Sequence, residues 1–480
     1  MHGRKSGQIE KFGTMDNNTQ NIDIVIIGAG AAGLMAAIGA AQVFKGGSHR
    51  VVILEKMEKA GRKIAITGKG RCNFTNVKPW NEFSSHVHPN ANLLKSAFYN
   101  LTPEKLIDFL AGEGLESIVE RGDRAYPASY KSWDVIDTLV NAAKRQGVEI
   151  HPGSEISEVI HIDAKDYHSD SQNAEGNCKA TCSDGIYEVM TADGRKYTCK
   201  ALIIATGGLA YPATGSTGDG YGWAGEMGHS LTERFPSLTA LVPKGYKLLD
   251  QNIAKDGRQH IDRSCPLSEN GRLLCGNQLK NIGLSLIIDG NTIQDEFGDI
   301  DFTDGGLEGP IGFKISRRCV KALINGGKAA VSIDLKPAVS ETELQHRIYG
   351  LWKNISEDKR SHSRSYNDKF KVLLGKLLPK DFIPAFLAIS PKADHNNLGR
   401  CLKNMNLDID GYVGFERCVI TAGGIQTKEL NPKTLESKFI HGLYFAGEIL
   451  DLDADTGGYN LHIAFSTGYL AGQSAAKALL

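Results

Sequence analysis

The segment DIVIIGAGAAGL, residues 23–34, constrains the fold more than any other part of the chain. A run of strand-forming residues enters the pattern G-x-G-x-x-G, and an Ala-rich helical run follows as far as Phe44. In this pattern Gly28 permits the tight turn, Gly30 lets a pyrophosphate approach the backbone, and Gly33 allows the helix to pack closely on the strand. The segment therefore predicts a βαβ unit that binds a dinucleotide at the N-terminus of its helix.

A second strand-type run, Arg50–Leu54, ends at an acid about 20 residues beyond the last glycine, where dinucleotide-binding units carry one. Glu55 is therefore expected to accept hydrogen bonds from the adenosine ribose. The alternative is an ordinary βαβ unit with a Gly-rich turn. The succession of strand, glycines, helix, strand and acid favours the dinucleotide site over that alternative.

The composition is that of a globular protein of roughly two or three domains. The chain has 480 residues, 41% of them hydrophobic, and a formal net charge of zero, so no global charge favours nucleic acid or a membrane surface. Nine scattered cysteines indicate free thiols in a reducing compartment, which predicts a cytoplasmic location. Cys178 and Cys182 are spaced like half a metal site, but no second pair is near them, so surface thiols are preferred and no metal is predicted. No apolar run approaches the ~18 residues of a membrane-spanning helix.

Two later segments resemble the first, because in each an apolar strand-type run ends in small residues. An apolar run at 200–205 ends in Thr206 and two glycines, and a second run at 442–446 ends in Gly447 before a Gly-rich loop enters the last helix. Short strands that end in small residues recur in two-dinucleotide-binding flavoproteins, where they let the chain pass beside the cofactor. The last helix would direct its positive N-terminal end at a flavin ring and stabilise the anionic reduced form. The alternative is a purely structural closure of strand on helix.

Shifts in composition predict a discontinuous α/β domain with an insert. The first residues are polar and lack the apolar core of a signal peptide, so a disordered tail is expected, with Met15 as an alternative start. The predicted parts are the tail at 1–21, an FAD-binding, Rossmann-like domain at 22–236 and 409–480, a β-rich insert at 237–340, and a helical insert at 341–408.

A basic stretch in the helical insert has two interpretations. Its cations are Lys359, Arg360, Arg364, Lys369, Lys371, Lys376 and Lys380. Tyr366 and Phe370 are four residues apart, so they would share a helix face and stack on bases if the stretch bound RNA. The alternative is a solvated helix face, which is the more common origin of such a run.

Together these segments resemble the BaiN/RdsA-like (YhiN-like) family of bacterial FAD-binding oxidoreductases, over residues 22–476. The motifs that carry the resemblance beyond the first Gly-rich turn are GRK at 61–63, GRCNFTN at 70–76, ATGG at 205–208, TGSTGDG at 214–220, GP at 309–310, NPKTLESK at 431–438 and GGYNL at 457–461. The chain departs from the family pattern at one place. Many relatives have Thr-His and then Ser-Gly-Pro where this chain has Thr303-Asp304 and Glu308-Gly309-Pro310.

The resemblance implies an FAD domain of the two-dinucleotide-binding type, interrupted by a β-rich insert that carries helices. It implies noncovalent FAD, with NAD(P)H as a transient reductant because no separate NAD domain is evident. It leaves the reaction open, since members have been linked to steroid reduction, amine oxidation and reduction of a ribosomal RNA uridine. Any role of the family's histidine cannot be transferred to Asp304.

Cys72, supported by Arg71 and Asn73, is the predicted catalytic group, because a thiol can protonate a carbon as hydride arrives. The alternatives are that Cys72 only packs against the flavin, or that Arg71 converts it to a thiolate. The predicted cofactor-binding residues are Gly28, Ala29, Gly30, Ala32, Gly33, Glu55, Lys56, Arg62, Lys63, Gly70, Thr206, Gly207, Gly208, Gly447, Glu448, Gly458, Tyr459, Asn460 and Leu461.

The functional prediction is an FAD-dependent oxidoreductase that moves hydride between NAD(P)H, flavin N5 and a small organic acceptor, with a C=C or C=N bond as the target. A second hypothesis is a ribosomal RNA dihydrouridine synthase, which would use the same flavin and dock RNA on the basic stretch at 359–380. A third is a flavin-binding protein without catalysis. No membrane partner is predicted.

Overall fold

The computed structural model describes residues 19–45, 47–163, 185–248, 260–358 and 363–480. Cys178, Cys182 and the predicted tail as far as residue 18 lie outside these ranges. The last residues of that tail, from Thr19, belong to the first strand of the central sheet. Within the described ranges no helix combines the length and the apolar character needed to cross a bilayer.

The strands are, in chain order, β1 (Thr19–Ile27), β2 (Val51–Leu54), β3 (Thr75–Asn76), β4 (Val87–His88), β5 (Ser117–Glu120), β6 (Arg124–Pro127), β7 (Glu149–His151), β8 (Ile156–Ile162), β9 (Ile186–Thr191), β10 (Lys196–Ile204), β11 (Phe235–Ser237), β12 (Leu241–Pro243), β13 (Gln278–Ile288), β14 (Asn291–Thr303), β15 (Gly306–Glu308), β16 (Ala329–Asp334), β17 (Met405–Tyr412), β18 (Ile420–Ala422), β19 (Leu443–Phe445) and β20 (Asp453–Ala454). The helices are α1 (Ala31–Phe44), α2 (Arg62–Ile66), α3 (Trp80–Phe83), α4 (Leu94–Asn100), α5 (Pro103–Gly112), α6 (Ser132–Arg145), α7 (Asp219–Glu226), α8 (Glu269–Leu274), α9 (Pro310–Ile324), α10 (Glu341–Glu357), α11 (Tyr366–Leu374), α12 (Ile383–Ile389), α13 (Leu398–Lys403) and α14 (Tyr459–Ala478).

The first domain is built on a seven-stranded sheet with the order β7-β2-β1-β10-β9-β8, in which β19 also pairs with β10. Strands β7, β2, β1, β10 and β19 are parallel to one another, whereas β9 is antiparallel to β10. Strands β2 and β19 and the last residues of β1 and β10 are buried. Strand β10 begins earlier than the predicted run at 200–205, since its first residues pair with β9 and its last with β19. The predicted Rossmann-like fold is confirmed.

Helix α1 matches the predicted run that ends at Phe44, and it is buried along almost its whole length. It lies between the sheet and α14, the last helix of the chain. Because α1 consists mainly of alanine and glycine, α14 can pack closely along it. The two ends of the domain's sequence therefore meet in one hydrophobic core.

The insert is a closed barrel with the strand order β12-β15-β14-β13-β16-β17. Alternate residues of β16 point inward, as the burial of Ala329, Val331 and Ile333 shows. Helices α10 to α13 leave the barrel after β16 and share its core. The prediction of a β-rich insert with a helical sub-insert is confirmed. Strand β17 extends to Tyr412, so the barrel ends a few residues beyond the predicted return at 409.

The two connections between the domains lie side by side. The chain leaves the sheet domain through β11 and returns through β18, and these strands pair antiparallel. Next to this ribbon, Arg317 on the barrel helix α9 forms a bidentate ion pair with Asp453 of the sheet domain, with Nε–Oδ2 and Nη2–Oδ1 distances of 2.8 and 3.0 Å. Ser237 at the end of β11 donates a hydrogen bond to the same carboxylate. The barrel is thus fixed against the sheet domain at the junction.

Candidate active site

A cavity of about 910 Å³ lies between the sheet domain and the barrel. Its sheet-domain wall comes from the loops that follow β1, β2 and β10, and therefore from the carboxyl ends of parallel strands. Ligands of open α/β sheets bind in this position. The opposite wall comes from the barrel, chiefly from β14, β15 and the start of α9.

The Gly-rich turn after β1 has the geometry that its sequence predicts. Gly28 has a φ of +101°, and a Cβ there would lie 2.7 Å from the carbonyl oxygen of Ala205. A Cβ on Gly33 would lie 1.8 Å from the carbonyl oxygen of Gly28. Gly30 lines the cavity and has no atom within 4 Å of its Cβ position, so a ligand can approach its backbone.

The N-terminus of α1 carries no side-chain cap in the described part of the chain. Its free N–H groups and the helix dipole favour an anion at this end of the cavity. The residues that add positive charge to the same wall are Lys56, Lys59, Arg62, Lys63, Lys69 and Arg124. Lys63 is ion-paired with Glu448, and Lys56 with Asp219. This end of the cavity suits the phosphates of a dinucleotide.

Glu55 connects the end of β2 to the Gly-rich turn. Its carboxylate accepts hydrogen bonds from the N–H of Ala29 at 2.6 Å and from the N–H of Met57 at 2.9 Å. Burial raises the pKa of this carboxyl, and the two hydrogen bonds oppose the rise. Each oxygen keeps a second lone pair, and Glu55 lines the cavity, so the carboxylate can also accept a hydrogen bond from a ligand. Its contact with a ribose stays a prediction.

A Glu55→Ala variant is expected to bind FAD more weakly by about 1.5–3 kcal/mol, the range for a hydrogen bond to a charged group. Equilibrium titration of the apoprotein with FAD measures the change. Glu58→Ala is the matched control, because Glu58 is exposed and does not line the cavity. Equal affinity in the two variants would exclude the ribose contact.

Helix α14 directs its N-terminus at the same cavity. Gly458 caps the helix with a φ of +95° and without a side-chain hydrogen bond, and Gly458, Asn460 and Leu461 line the wall. Asn460 fixes the loop before the helix, because its side chain both accepts from and donates to the backbone of Ala454. A 20-residue helix in this position would stabilise negative charge on a ligand.

Three buried polar atoms of residues in the cavity wall have no partner in the described ranges. They are Asn73 Oδ1, Ser154 Oγ and Thr206 Oγ1. A buried polar atom without a hydrogen bond costs ~1–3 kcal/mol. A ligand with donors and acceptors would satisfy such atoms, and together with the open backbone at Gly30 they fit a bound dinucleotide.

The predicted catalytic group is placed differently from the expectation. Cys72 is fully buried with a φ of +56° and does not line the cavity. Burial raises the pKa of its thiol to about 12, which disfavours the thiolate. Arg71 instead pairs with Glu120 at 2.6 Å and stacks over the rings of Tyr126 and Tyr130. Asn73 is the member of this trio that faces the cavity, and a catalytic role for Cys72 has no support from its position.

The cavity gathers most of the predicted cofactor-binding residues. Those that line it are Gly28, Gly30, Ala32, Glu55, Lys56, Arg62, Lys63, Thr206, Gly207, Gly447, Glu448, Gly458, Asn460 and Leu461. Those that do not are Ala29, Gly33, Gly70, Gly208 and Tyr459. Tyr459, for example, is buried and stacks on His86 with ring centroids 4.5 Å apart.

Sequence reasoning missed the barrel wall of the cavity. Its residues are Gly276, Asn277, Gln278, Asp299, Asp301, Phe302, Thr303, Glu308, Gly309, Pro310 and Phe313. These side chains are spread over several strands and have no motif spacing. The sequence carries one signal for this wall. The departure from the family pattern at Asp304 and Glu308 falls on the turn after β14 and on strand β15, next to the cavity.

The basic stretch of the helical insert is only partly suited to stacking. Lys359 and Arg360 lie outside the described residues. Tyr366 and Phe370 do share a helix face, with nearly parallel rings 6.1 Å apart, but Phe370 is buried in the core and cannot stack on a base. Tyr366 is 45% exposed, and its hydroxyl is hydrogen-bonded to His395. No described cation of the stretch lines the cavity.

The Rossmann-type sheet, the glycine turn and the cavity are those of a dinucleotide-binding protein, and the family match places the chain among the FAD-dependent oxidoreductases. The chain belongs to the HI0933-like family, because the model of the HI0933-like protein Rossmann domain matches residues 22–474. This result confirms the resemblance that the sequence motifs indicate.

The chain is 31% identical to a 3-dehydro-bile acid delta(4,6)-reductase of Clostridium scindens, over 95% of this chain and 99% of that protein. It is 27% identical to a ribosomal RNA dihydrouridine synthase of Haemophilus influenzae, over 96% of this chain and 100% of that protein. A solved 3-ketosteroid delta1-dehydrogenase from Sterolibacterium denitrificans is 11% identical, with a TM-score of 0.47 over 96% of this chain and all of that chain.

Proposed function

We propose that this protein is a cytoplasmic reductase that passes hydride from NADH or NADPH, by way of noncovalently bound FAD, to a C=C or C=N bond of a small organic molecule. The observation that carries the proposal is the continuity of one cavity from Gly30 at the glycine turn to Glu308 on the barrel. A dinucleotide fills the first part, and the remaining part lies against the barrel. An organic acceptor placed there would meet the reacting end of the cofactor.

Bound FAD supplies two-electron chemistry, since it accepts a hydride from a nicotinamide and passes it to an acceptor. The residues expected to hold it are those around the glycine turn, Glu55, Thr206 and the N-terminus of α14. Asn73 Oδ1 and Thr206 Oγ1 are oriented by the buried wall and would accept hydrogen bonds from the cofactor. These groups fix the cofactor without contributing protons of their own.

The barrel supplies the substrate side of the cavity. Phe302, Pro310 and Phe313 present apolar surface, and Asn277 and Gln278 add amide groups. Such a wall suits a largely apolar molecule with one or two polar substituents. The Clostridium scindens relative, which is named as a delta(4,6)-reductase of a 3-dehydro-bile acid, supports a conjugated C=C bond as the target.

The proposal is tested by anaerobic incubation of the FAD-loaded protein with NADH or NADPH and an enone, 4-androstene-3,17-dione or 2-cyclohexenone. Mass spectrometry of the products is the measurement. The proposal predicts an enone product that has gained two hydrogens, in step with nicotinamide oxidation. No reduction of any enone or imine supplied, with nicotinamide oxidation that appears only after dioxygen is admitted, would contradict it.

Reduction of uridine in ribosomal RNA is the second candidate. It is supported by the Haemophilus influenzae relative and by the exposed cations Arg364, Lys371, Lys376 and Lys380. Two observations disfavour it. Phe370 is buried, and none of these cations lines the cavity in which the reaction is proposed to occur. Loss of dihydrouridine from the bulk RNA of a deletion strain would establish this function in place of the first.

Charge reversal of Arg364, Lys371, Lys376 and Lys380 to glutamate is expected to leave FAD content and enone reduction unchanged, because these side chains are solvated. The measurement is RNA binding by the wild type and the variant at two salt concentrations. Binding that falls steeply with salt in the wild type and disappears in the variant would show instead a phosphate-tracking face.

A further inference from the structure

The barrel rim carries two carboxylates that share one arginine. Arg263 Nε donates to Asp304 Oδ1 at 3.0 Å, its Nη2 donates to the same oxygen, and its Nη1 donates to Glu308 Oε1 at 3.3 Å. The side chain of Asp304 is 62% exposed, whereas that of Glu308 is 17% exposed. Of Arg263, Asp304 and Glu308, only Glu308 lines the cavity.

The two carboxyls differ in their surroundings. Hydrogen bonds from Arg263 hold the pKa of Asp304 below the usual range. Burial raises the pKa of Glu308, and the charges of Asp304 and Asp301 act in the same direction, against the opposing effects of Arg263 and Thr303. The pKa values of the two carboxyls are therefore shifted in opposite directions, and Glu308 is the one that lines the cavity. Two acids whose environments separate their pKa values are the usual arrangement of an acid and its charged neighbour in an active site.

We propose that Glu308 is the catalytic acid that protonates the substrate, and that Arg263 and Asp304 are positioning residues that hold its carboxyl at the cavity wall. This inference rests on the proposed reductase function. It gives the departure from the family's Thr-His and Ser-Gly-Pro pattern a chemical role, because both altered positions, Asp304 and Glu308, contact the same arginine.

For a conjugated C=C bond, a hydride that originates from NADH or NADPH would form a new C–H bond at the β-carbon as the π bond breaks. The electron pair that remains at the α-carbon takes the carboxyl proton of Glu308. Glu308 is left as a carboxylate beside Arg263 and regains a proton from water. The nicotinamide is oxidised and the substrate is reduced by two electrons.

Tyr211 is one rival proton donor, since it also lines the cavity, as do Asp299 and Asp301; burial raises the pKa of the Tyr211 hydroxyl. Cys72 does not line the cavity. The charged and titratable groups that act on Glu308 are Arg263, Asp301, Asp304, Tyr211 and Tyr246. Variants of Glu308, Tyr211 and Asp304 therefore distinguish the alternatives.

The first test is independent of catalysis. Infrared difference spectra of the apoprotein are recorded over a pH series, and the band of a protonated carboxyl is assigned with E308Q. The proposal predicts that this band persists into the neutral range in the wild type and is missing in E308Q. In D304N it should be lost at a lower pH, because Arg263 then interacts with Glu308 alone. A Glu308 that is ionised throughout the neutral range overturns the proposal, even if the protein reduces no enone.

The second test uses the FAD-loaded protein with 4-androstene-3,17-dione. E308Q should slow transfer to the enone by roughly 100-fold or more, the effect of a general acid, while reduction of the FAD by nicotinamide is unchanged. Asp295→Asn is the control, because Asp295 is an exposed carboxylate of the neighbouring strand β14 that does not line the cavity. A Tyr211→Phe variant that loses transfer while E308Q retains it would assign the proton to Tyr211 and overturn the proposal.

Discussion

Gly33→Ala is expected to abolish FAD binding and to destabilise the sheet domain by about 3 kcal/mol, the upper end of the usual cost of overpacking. The added Cβ would stand 1.8 Å from the carbonyl oxygen of Gly28. That oxygen cannot move aside, because Gly28 has a φ of +101° and lies against the backbone of Ala205. The turn between β1 and α1 would have to open, and the N-terminus of α1 would leave the cavity.

Gly30→Ala is the matched variant, which is expected to lower FAD affinity without lowering the stability of the apoprotein. Its Cβ position is free of protein atoms within 4 Å, and its φ of −80° is allowed for alanine. The apoprotein should therefore unfold at the same denaturant concentration as the wild type, within ~0.5 kcal/mol. FAD affinity should still fall, because the methyl group occupies the space where a pyrophosphate approaches the backbone. Full FAD affinity in Gly30→Ala would contradict the placement of the dinucleotide at this turn.

Arg317→Ala is expected to destabilise the protein by about 3–5 kcal/mol, the cost of leaving one charge of a buried pair without its partner. The Asp453 side chain is 1% exposed, and the guanidinium of Arg317 is its bidentate partner. Ser237 would remain as a single hydrogen-bond donor to the carboxylate. Since the pair joins α9 of the barrel to the sheet domain, the two domains should also separate into distinct unfolding transitions.

Denaturant unfolding followed by fluorescence and by far-UV circular dichroism measures both effects. Arg318→Ala is the control, because Arg318 is the next residue of the same helix and is exposed, so its change should stay within ~0.5 kcal/mol. Asp453→Leu combined with Arg317→Met should recover part of the lost stability, since it removes both charges. A loss in Arg317→Ala no larger than that in Arg318→Ala would show that the junction does not depend on this pair.

The dinucleotide end of the cavity could be predicted from sequence because its parts are contiguous. The strand, the glycines and the acid at Glu55 follow one another within one βαβ unit, and each has a local steric or hydrogen-bonding reason. The later strands that end at Thr206 and Gly447 were recognisable for the same reason, since short apolar runs followed by small residues leave a signature. The parallel order of the sheet then brings these ends together.

The substrate end could not be predicted in this way. Phe302 and Glu308 reach the cavity only because a closed barrel places β14 and β15 beside it, and this depends on strand pairings distant in sequence. The change in composition at 409 falls inside strand β17, which completes the barrel although it follows the helical insert. Cys72 has suitable chemistry for proton transfer, but its thiol is buried and the residue has a positive φ.

A crystal structure of the protein grown with FAD tests the central claim most directly. The account predicts FAD in the cavity between sheet and barrel, with the pyrophosphate at Gly30, the adenosine ribose at Glu55, and the ring beside Asn73 and the N-terminus of α14. The end of the cavity at Glu308 would remain open to a substrate. A protein that takes up no FAD, or an FAD molecule bound outside this cavity, would contradict the account.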